Sequence, residues 1–279
     1  MRSVLVTGSS SGIGRALARR FAREGWRVFA TMRRPESGEE LRRDAAAQGW
    51  TLTTPALDVT SDASVAAAVD EAHAAAGGAL DVVVNNAGYY LWGAVEETTP
   101  EELAAQLDTN LLGVLRVTRA VLPPMRARRT GTIVNMSSVS GRVVLPAVGP
   151  YHASKWALEA LSESLRYELI PFGVNVVLIE PGPYDTGLHA NEKRAAASEW
   201  PDSPYAAQAA AYKRQLAALR RAELDGLCDV VLRAATARRP KLRWPVGPTS
   251  FSGTVGRHLA PDWLYELVMR VVFRLRRPK

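Results

Sequence analysis

Short runs of β-branched and aliphatic residues alternate along the chain with longer stretches whose apolar positions recur at helical spacing. The strands predicted by this pattern are Val4–Val6, Val28–Thr31, Thr51–Leu57, Val82–Asn85, Thr132–Asn135 and Val174–Ile179, with a late one near Leu242–Trp244. Helices are predicted over Arg15–Arg23, Ser64–Ala75, Glu101–Met125, Ala153–Leu169 and Ala206–Arg221. Several strands are apolar throughout, as expected where helices cover both faces of a sheet. Regular strand–helix alternation with right-handed crossovers predicts an α/β fold, a doubly wound parallel sheet in a single domain over residues 1–279. Only the stretch from Pro183 breaks the rhythm. It holds Trp200, Pro201, Pro204, Tyr205 and Tyr212, and residues 183–225 read as a long irregular lid over a binding site.

Composition narrows the class. Of 279 residues, 47% are hydrophobic and 23% charged, so the chain buries a core and is not disordered. The net charge of +7 comes from 35 basic and 28 acidic residues, and the segment Arg233–Lys279 holds 11 of the former and 2 of the latter. That leaves 24 against 26 elsewhere, so the basic excess belongs to the tail and no nucleic-acid-binding domain is expected. A lone cysteine, Cys228, forms no intrachain disulfide and suits a reducing cytoplasm. The histidines His73, His152, His189 and His258 lack metal-ligand spacing, so no metal is expected. Strand residues begin at Val4, which leaves no room for a targeting leader. No run approaches the ~20 apolar residues that span a bilayer. A cytoplasmic protein is expected.

Candidate chemistry starts at the first strand, which runs into Thr7-Gly8-Ser9-Ser10-Ser11-Gly12-Ile13-Gly14 and then a helix. Glycine permits positive φ and close approach of a phosphate, and the unpaired N–H groups and positive dipole end of a helix attract an anion. The spacing departs from G-x-G-x-x-G, and a plain tight turn is the competing reading. Further on, Tyr151 and Lys155 stand four apart at the start of a helical stretch and share a face. A phenol with a pKa near ~10 needs help to exchange a proton at neutral pH, and an adjacent ammonium favours its phenolate. Alone, the pair reads equally as an amphipathic helix with an incidental lysine. Ser138 changes that balance, because it opens a loop at the sheet's carboxyl edge, where open α/β sheets hold ligands.

Thr7-Gly8-x-x-x-Gly12-x-Gly14, Asn85-Asn86-Ala87-Gly88, Tyr151-x-x-x-Lys155 and Pro181-Gly182 stand in the order and spacing of the short-chain dehydrogenase/reductase family. The chain resembles that family closely from Ser3 to Thr186 and loosely beyond. The resemblance implies a Rossmann fold, a nicotinamide dinucleotide and hydride transfer between a carbonyl and an alcohol. It implies cofactor contacts at Gly8, Ser10, Ser11, Gly12, Ile13 and Gly14, and an adenine contact at Asp58 and Val59. A cofactor-side loop is implied at Asn86, Ala87 and Gly88, with a loop over the carboxamide end at Pro181, Gly182 and Thr186. Family members that use NAD(H) carry an Asp at the end of the second strand. Here Met32 stands there, followed by Arg33 and Arg34, a cationic fork that suits the extra phosphate of NADP(H). By the same resemblance, Ser138 hydrogen-bonds the substrate oxygen and Tyr151 exchanges the proton. Lys155 lowers the tyrosine pKa and binds the nicotinamide ribose, and Asn110 bends its helix and holds a water-mediated proton relay. The stretch from Ser137 to Lys155 is similar to the branch acting on steroids, retinoids and other bulky lipophilic alcohols and ketones. Pairing of the helices that carry Asn110 and Tyr151 implies a homodimer or homotetramer.

Tyr89, Tyr90, Leu91 and Trp92, with Val144, Leu145, Tyr184 and Leu188, predict a roomy apolar pocket for such a substrate. Residues 255–279 form a basic amphipathic extension. Its helix, Asp262–Arg277, sets Asp262, Glu266, Arg270, Arg274 and Arg277 on one stripe, opposite an arc of Trp263, Leu264, Leu267, Val268, Val271, Val272 and Leu275. That arc is expected to dock on the core or on a partner subunit; the alternative is a peripheral membrane contact. Two rival functions remain open. One is a 3-oxoacyl-carrier-protein reductase, whose acidic carrier the basic tail could attract. The other is a non-catalytic NADP(H)-sensing scaffold on the same fold, although sensors tend to lose the Ser–Tyr–Lys set.

Overall fold

The computed structural model describes residues 1–184, 192–199, 203–218, 222–248, 250–273 and 275. Among them the strands are β1 (Ser3–Val6), β2 (Arg27–Ala30), β3 (Leu52–Thr53), β4 (Val82–Asn85), β5 (Tyr90–Trp92), β6 (Gly131–Met136), β7 (Val174–Pro181), β8 (Glu192–Arg194) and β9 (Arg243–Val246). The helices are α1 (Gly12–Arg23), α2 (Glu39–Gln48), α3 (Asp62–Ala76), α4 (Pro100–Leu107), α5 (Gly113–Arg128), α6 (Gly149–Leu169), α7 (Ala206–Ala218), α8 (Leu224–Thr236), α9 (Ser250–Leu259) and α10 (Asp262–Val272). Seven strands form one parallel sheet in the order β3-β2-β1-β4-β6-β7-β9, and β5 pairs with β8 in a small parallel sheet above it.

Every residue of β1, β4 and β6 is buried, which is why their central residues, Val4–Val6, Val82–Val84 and Ile133–Val134, are apolar without alternation. One face of the sheet packs on α1 and α8 through Leu17, Phe21, Leu227 and Val231. The other packs on α3 and α5 through Val65, Val69, Val117, Val121 and Met125. Strand order reverses between β1 and β4. The chain leaves these two strands toward opposite sides, so a crevice opens at their carboxyl ends, and there the site forms.

The structure departs from the sequence pattern in several places. The strand predicted over Thr51–Leu57 shortens to Leu52–Thr53 plus a lone bridge between Met32 and Ala56, because Pro55 cannot donate to the ladder. The helix predicted over Glu101–Met125 is not continuous: α4 ends at Leu107, a single π turn covers Asp108–Leu112, and α5 follows. The insertion after Pro183 is not irregular throughout, since it contains β8, a short 3₁₀ turn at Ala196–Glu199 and α7. The late strand is Arg243–Val246, registered against Leu178–Pro181 of β7. Among the described residues, the apolar arc of the last helix packs on the core only through Leu275. α10 instead rests on its neighbours through Tyr265, Met269 and Phe273, and most of the predicted arc faces outward.

Candidate functional site

All the described candidate residues gather at the carboxyl edge of the sheet. After β1, Gly8 takes φ +69° and lies so close to the Asn86–Gly88 loop that an added Cβ would sit 2.8 Å from the Ala87 Cα. At Gly14 a Cβ would meet the Gly8 carbonyl oxygen at 2.2 Å and Asn86 Nδ2 at 2.6 Å, so only glycine lets α1 start this tightly against the strand. Asn86 locks the turn: its Nδ2 donates to the carbonyls of Thr7 at 2.9 Å and Gly8 at 3.2 Å. Thr7 Oγ1 in turn accepts the N–H groups of Asn86 and Ala87, both at 3.0 Å. Ser11 gives α1 no side-chain cap, and the first turn carries no acidic residue. The N-terminal dipole end is thus left for an anion, so this cradle fits the diphosphate of a dinucleotide.

The residues expected on the adenosine side lie beyond β2 and β3. Met32 is buried, whereas Arg33 and Arg34 are exposed just beyond β2. Asp58 is partly buried, which works to raise its pKa. The N–H and hydroxyl of Thr60, at 3.0 and 2.8 Å, together with Arg33 and Arg116, outweigh burial and hold it below the usual carboxylate range. Pro181 and Gly182 end β7, with the Gly182 N–H donating to the Val246 carbonyl at 2.8 Å. Thr186 and Leu188 lie outside the described residues.

Across the crevice, Ser138 leaves β6 in extended conformation, and its Oγ accepts the Ser140 N–H at 3.1 Å. Its hydroxyl also lies within hydrogen-bonding reach of Tyr151, which it helps to acidify. His152 pins the intervening loop to α6, with Nδ1 against the Ser140 carbonyl at 2.9 Å and Nε2 accepting the Leu145 N–H at 3.0 Å. One turn beyond Tyr151, Lys155 lies with Nζ 5.7 Å from the tyrosine ring centre and donates to the Met136 carbonyl at 2.7 Å. Asn110 sits on the π turn. Its Nδ2 donates to the Tyr89 carbonyl at 3.0 Å and Ser154 Oγ at 3.1 Å, and its Oδ1 accepts the Tyr89 N–H at 3.1 Å. It thereby ties the end of the Asn86–Gly88 loop to α6.

Burial comes first in the electrostatics of both groups. Burial dominates and pushes Tyr151 up to about 12 despite Ser138. Burial likewise pulls Lys155 down to about 8, opposed by Glu159. Two desolvated groups each favour the neutral form, so in this state Tyr151 holds its proton firmly. Behind them, Glu159 and Glu180 are both buried beside Arg243, whose Nε lies 2.8 and 3.6 Å from their carboxylates. Burial first, then Glu159, push Glu180 up to about 7. Sequence reading missed this cluster, although Glu159 stands one turn past Lys155 and was visible by spacing.

Among the described residues, Tyr90 and Trp92 of the expected pocket lining pack against Tyr151, Tyr212 and Phe273. The Tyr90 ring lies 4.8 Å from that of Tyr151, inclined by 51°, and its hydroxyl meets that of Tyr212 at 2.5 Å. Trp92, Val148 and Phe273 complete an aromatic cap under which Tyr151 is 8% exposed. Tyr184 joins the main core instead, against the strand end near Val246. Tyr212 and Phe273 come from distant segments that no local pattern links to the site.

A parallel sheet with this crevice, a glycine turn on one side and a Ser–Tyr–Lys set on the other is the architecture of a nucleotide-dependent oxidoreductase. The chain belongs to the short-chain dehydrogenase/reductase family, whose short chain dehydrogenase profile matches residues 2–197. It is an oxidoreductase of this family, which uses a nicotinamide cofactor. It is 37% identical to the uncharacterized oxidoreductase YusZ of Bacillus subtilis over 274 residues, 95% of this chain and 96% of the relative. It is 32% identical to a 3-ketodihydrosphingosine reductase of Bacteroides thetaiotaomicron, covering 98% of each. A shorter likeness, 43% over 189 residues, reaches human retinol dehydrogenase 8 and covers 66% of this chain and 60% of that one. Among solved structures, a short-chain dehydrogenase from Streptomyces avermitilis superposes with a TM-score of 0.84 at 33% identity, covering 96% of this chain and 95% of that one. A gluconate 5-dehydrogenase from Burkholderia cenocepacia, in complex with NADP and tartrate, superposes with a TM-score of 0.74 at 29% identity, covering 90% and 95%.

Proposed function

We propose that this protein is an NADP(H)-dependent reductase of a carbonyl on a bulky lipophilic compound, with Ser138, Tyr151, Lys155 and Asn110 as its catalytic and positioning set. The observation that carries the reading is the convergence of Ser138, Tyr151 and Lys155 at the carboxyl edge, opposite a glycine turn suited to a diphosphate. When bound, the reduced nicotinamide supplies a hydride to the carbonyl carbon. Ser138 donates a hydrogen bond to the substrate oxygen and draws charge toward it. Tyr151, kept protonated by its burial, delivers the proton to that oxygen as charge develops. The Lys155 ammonium stabilises the phenolate left behind, and Asn110 holds the Tyr89 backbone and Ser154 so that the geometry persists.

Arg33 and Arg34 support NADP(H), since no carboxylate stands at Met32 to repel a phosphate. The NADP-bound gluconate 5-dehydrogenase points the same way. The lipophilic substrate class is supported by the aromatic cap, and by likeness to relatives named for 3-ketodihydrosphingosine and retinol.

The decisive experiment is NADPH consumption over a panel of steroid ketones, retinal, aliphatic ketones and acyl thioesters. Tyr151→Phe should lower the rate by about 10²–10⁴-fold while leaving NADPH binding in place. Changing Arg33 and Arg34 together to alanine should raise KM for NADPH about 10–100-fold and leave that for NADH nearly unchanged. NADPH binding with no turnover of any carbonyl would favour the sensing scaffold. Preference for the thioesters would favour the carrier-protein reductase.

A further inference from the structure

The last two helices carry an apolar face that no described residue covers. α10 docks through one narrow stripe of Tyr265, Met269 and Phe273, spaced four apart, with the Tyr265 hydroxyl donating to the Val144 carbonyl at 3.1 Å. Trp263 is 68% exposed, Val271 69% and Leu267 50%, and Leu264, Val268 and Val272 also face outward. At the helical angle per residue these six side chains sweep roughly half the circumference of α10. Leu259 and Val255 at the end of α9 extend the patch. Contiguous exposed apolar surface of this kind marks a docking site.

We propose that this face docks on an anionic lipid bilayer and sets the aromatic cap of the active site at the membrane surface. Charge selects the occupant. Residues 255–279 carry six lysines and arginines against two acidic residues; Arg274, Arg276, Arg277 and Lys279 follow α10 in the sequence and lie outside the described residues, and Arg257 is paired with Asp262 at 2.9 Å. A second copy of the chain would bring like charge to like charge, whereas a bilayer with anionic headgroups answers both the apolar arc and the basic excess. Trp263, apolar in body with one polar N–H, suits the headgroup level. With 11 residues, α10 is too short to cross a bilayer and lies in its plane.

The same helix roofs the site. Phe273, at its end, packs in the cluster over Tyr151, and Gln215 of α7 donates to the Val272 carbonyl at 3.3 Å. Between α10 and the catalytic helix α6 lies a cleft of about 400 Å³, lined in part by Val144, His152, Trp156 and Tyr265. Resting on the reading of Tyr151 as proton donor to a lipophilic carbonyl, this arrangement brings the cap over Tyr151 to the bilayer surface, where a lipophilic substrate is dissolved.

Flotation of the full-length protein with vesicles tests the docking independently of catalysis. Vesicles of phosphatidylcholine mixed with phosphatidylglycerol should carry the protein upward, and phosphatidylcholine alone should carry little. The double substitution Trp263→Asp and Leu267→Asp should weaken partition by about tenfold or more, with an unchanged thermal melt because both side chains are exposed. Equal flotation of wild type and variant, or equal flotation on neutral and anionic vesicles, overturns the proposal. So does a concentration-dependent dimer that the variant abolishes, since the face would then belong to a second copy. If the catalytic reading fails instead, no carbonyl consumes NADPH while flotation persists.

Discussion

At the residue scale the site is governed by desolvation. Lys155 titrates near 8 in the folded protein against an ordinary value of 10.5. Between those values the unfolded chain binds more protons, so burial of the charged lysine costs stability below pH 8 and the cost disappears as pH rises toward 10.5. A Lys155→Met variant should therefore be more stable than wild type at pH 7, by up to about 3 kcal/mol, and the gap should close between pH 8 and 10. Paired thermal melts across that range check it; a gap independent of pH would mean that the ammonium is not desolvated. Tyr151 acts in the opposite sense at higher pH. Its folded value of about 12 exceeds the ordinary 10, so it withdraws stability only above pH 10. The tyrosine–lysine spacing was legible in the sequence. The depth of burial that sets both pKa values was not, because over Tyr151 it comes from Tyr90 and Tyr212, which lie far apart in the chain.

At the scale of elements, two pieces do work that periodicity alone does not announce. The π turn at Asp108–Leu112 rotates Asn110 toward Tyr89 and Ser154, where a continuous helix would have carried it past them. The apolar spacing on either side suits one long helix, so the bend appears only once the loop and α6 are in place. α7 supplies Tyr212, whose hydroxyl meets that of Tyr90 above Tyr151. On the proposed reading of Tyr151 as proton donor, substrate entry requires this cap to lift, and the contact holds it down. Tyr212→Phe removes a hydrogen bond of about 1 kcal/mol from the closed arrangement. It should raise kcat/KM for a small ketone about fivefold, by shifting the population toward the open one. Steady-state kinetics with NADPH in excess measure this, and an unchanged or lowered value would place the barrier elsewhere.

At the scale of the whole molecule, the sheet and its covering layers are built from large side chains with no solvent contact, among them Phe21, Leu5, Ile133 and Leu178. The cap elements α7 and α10 rest on narrower contacts, and their outer faces are exposed. Stability should therefore be uneven. Amide hydrogen exchange should be slowest in β1, β4, β6 and β7 and fastest in α7 and α10, and vesicle binding should protect α10 more than any strand. Uniform protection across sheet and cap would contradict the picture of a rigid nucleotide platform under a movable roof.

The sequence by itself determined the parallel sheet, the placing of the glycine turn and the Ser–Tyr–Lys set, and the basic bias of the tail. These follow from local spacing: apolar runs that need two covered faces, glycines that alone fit a close turn, and two groups one helical turn apart. Only the tertiary structure decided that Pro55 cuts a strand short and that Tyr90 and Trp92 pack against Tyr212 and Phe273 beside Tyr151. It also decided that α10 turns its apolar arc outward. Each of these depends on which surface meets which across long sequence separations, and a one-dimensional pattern records that a face is apolar without recording what covers it.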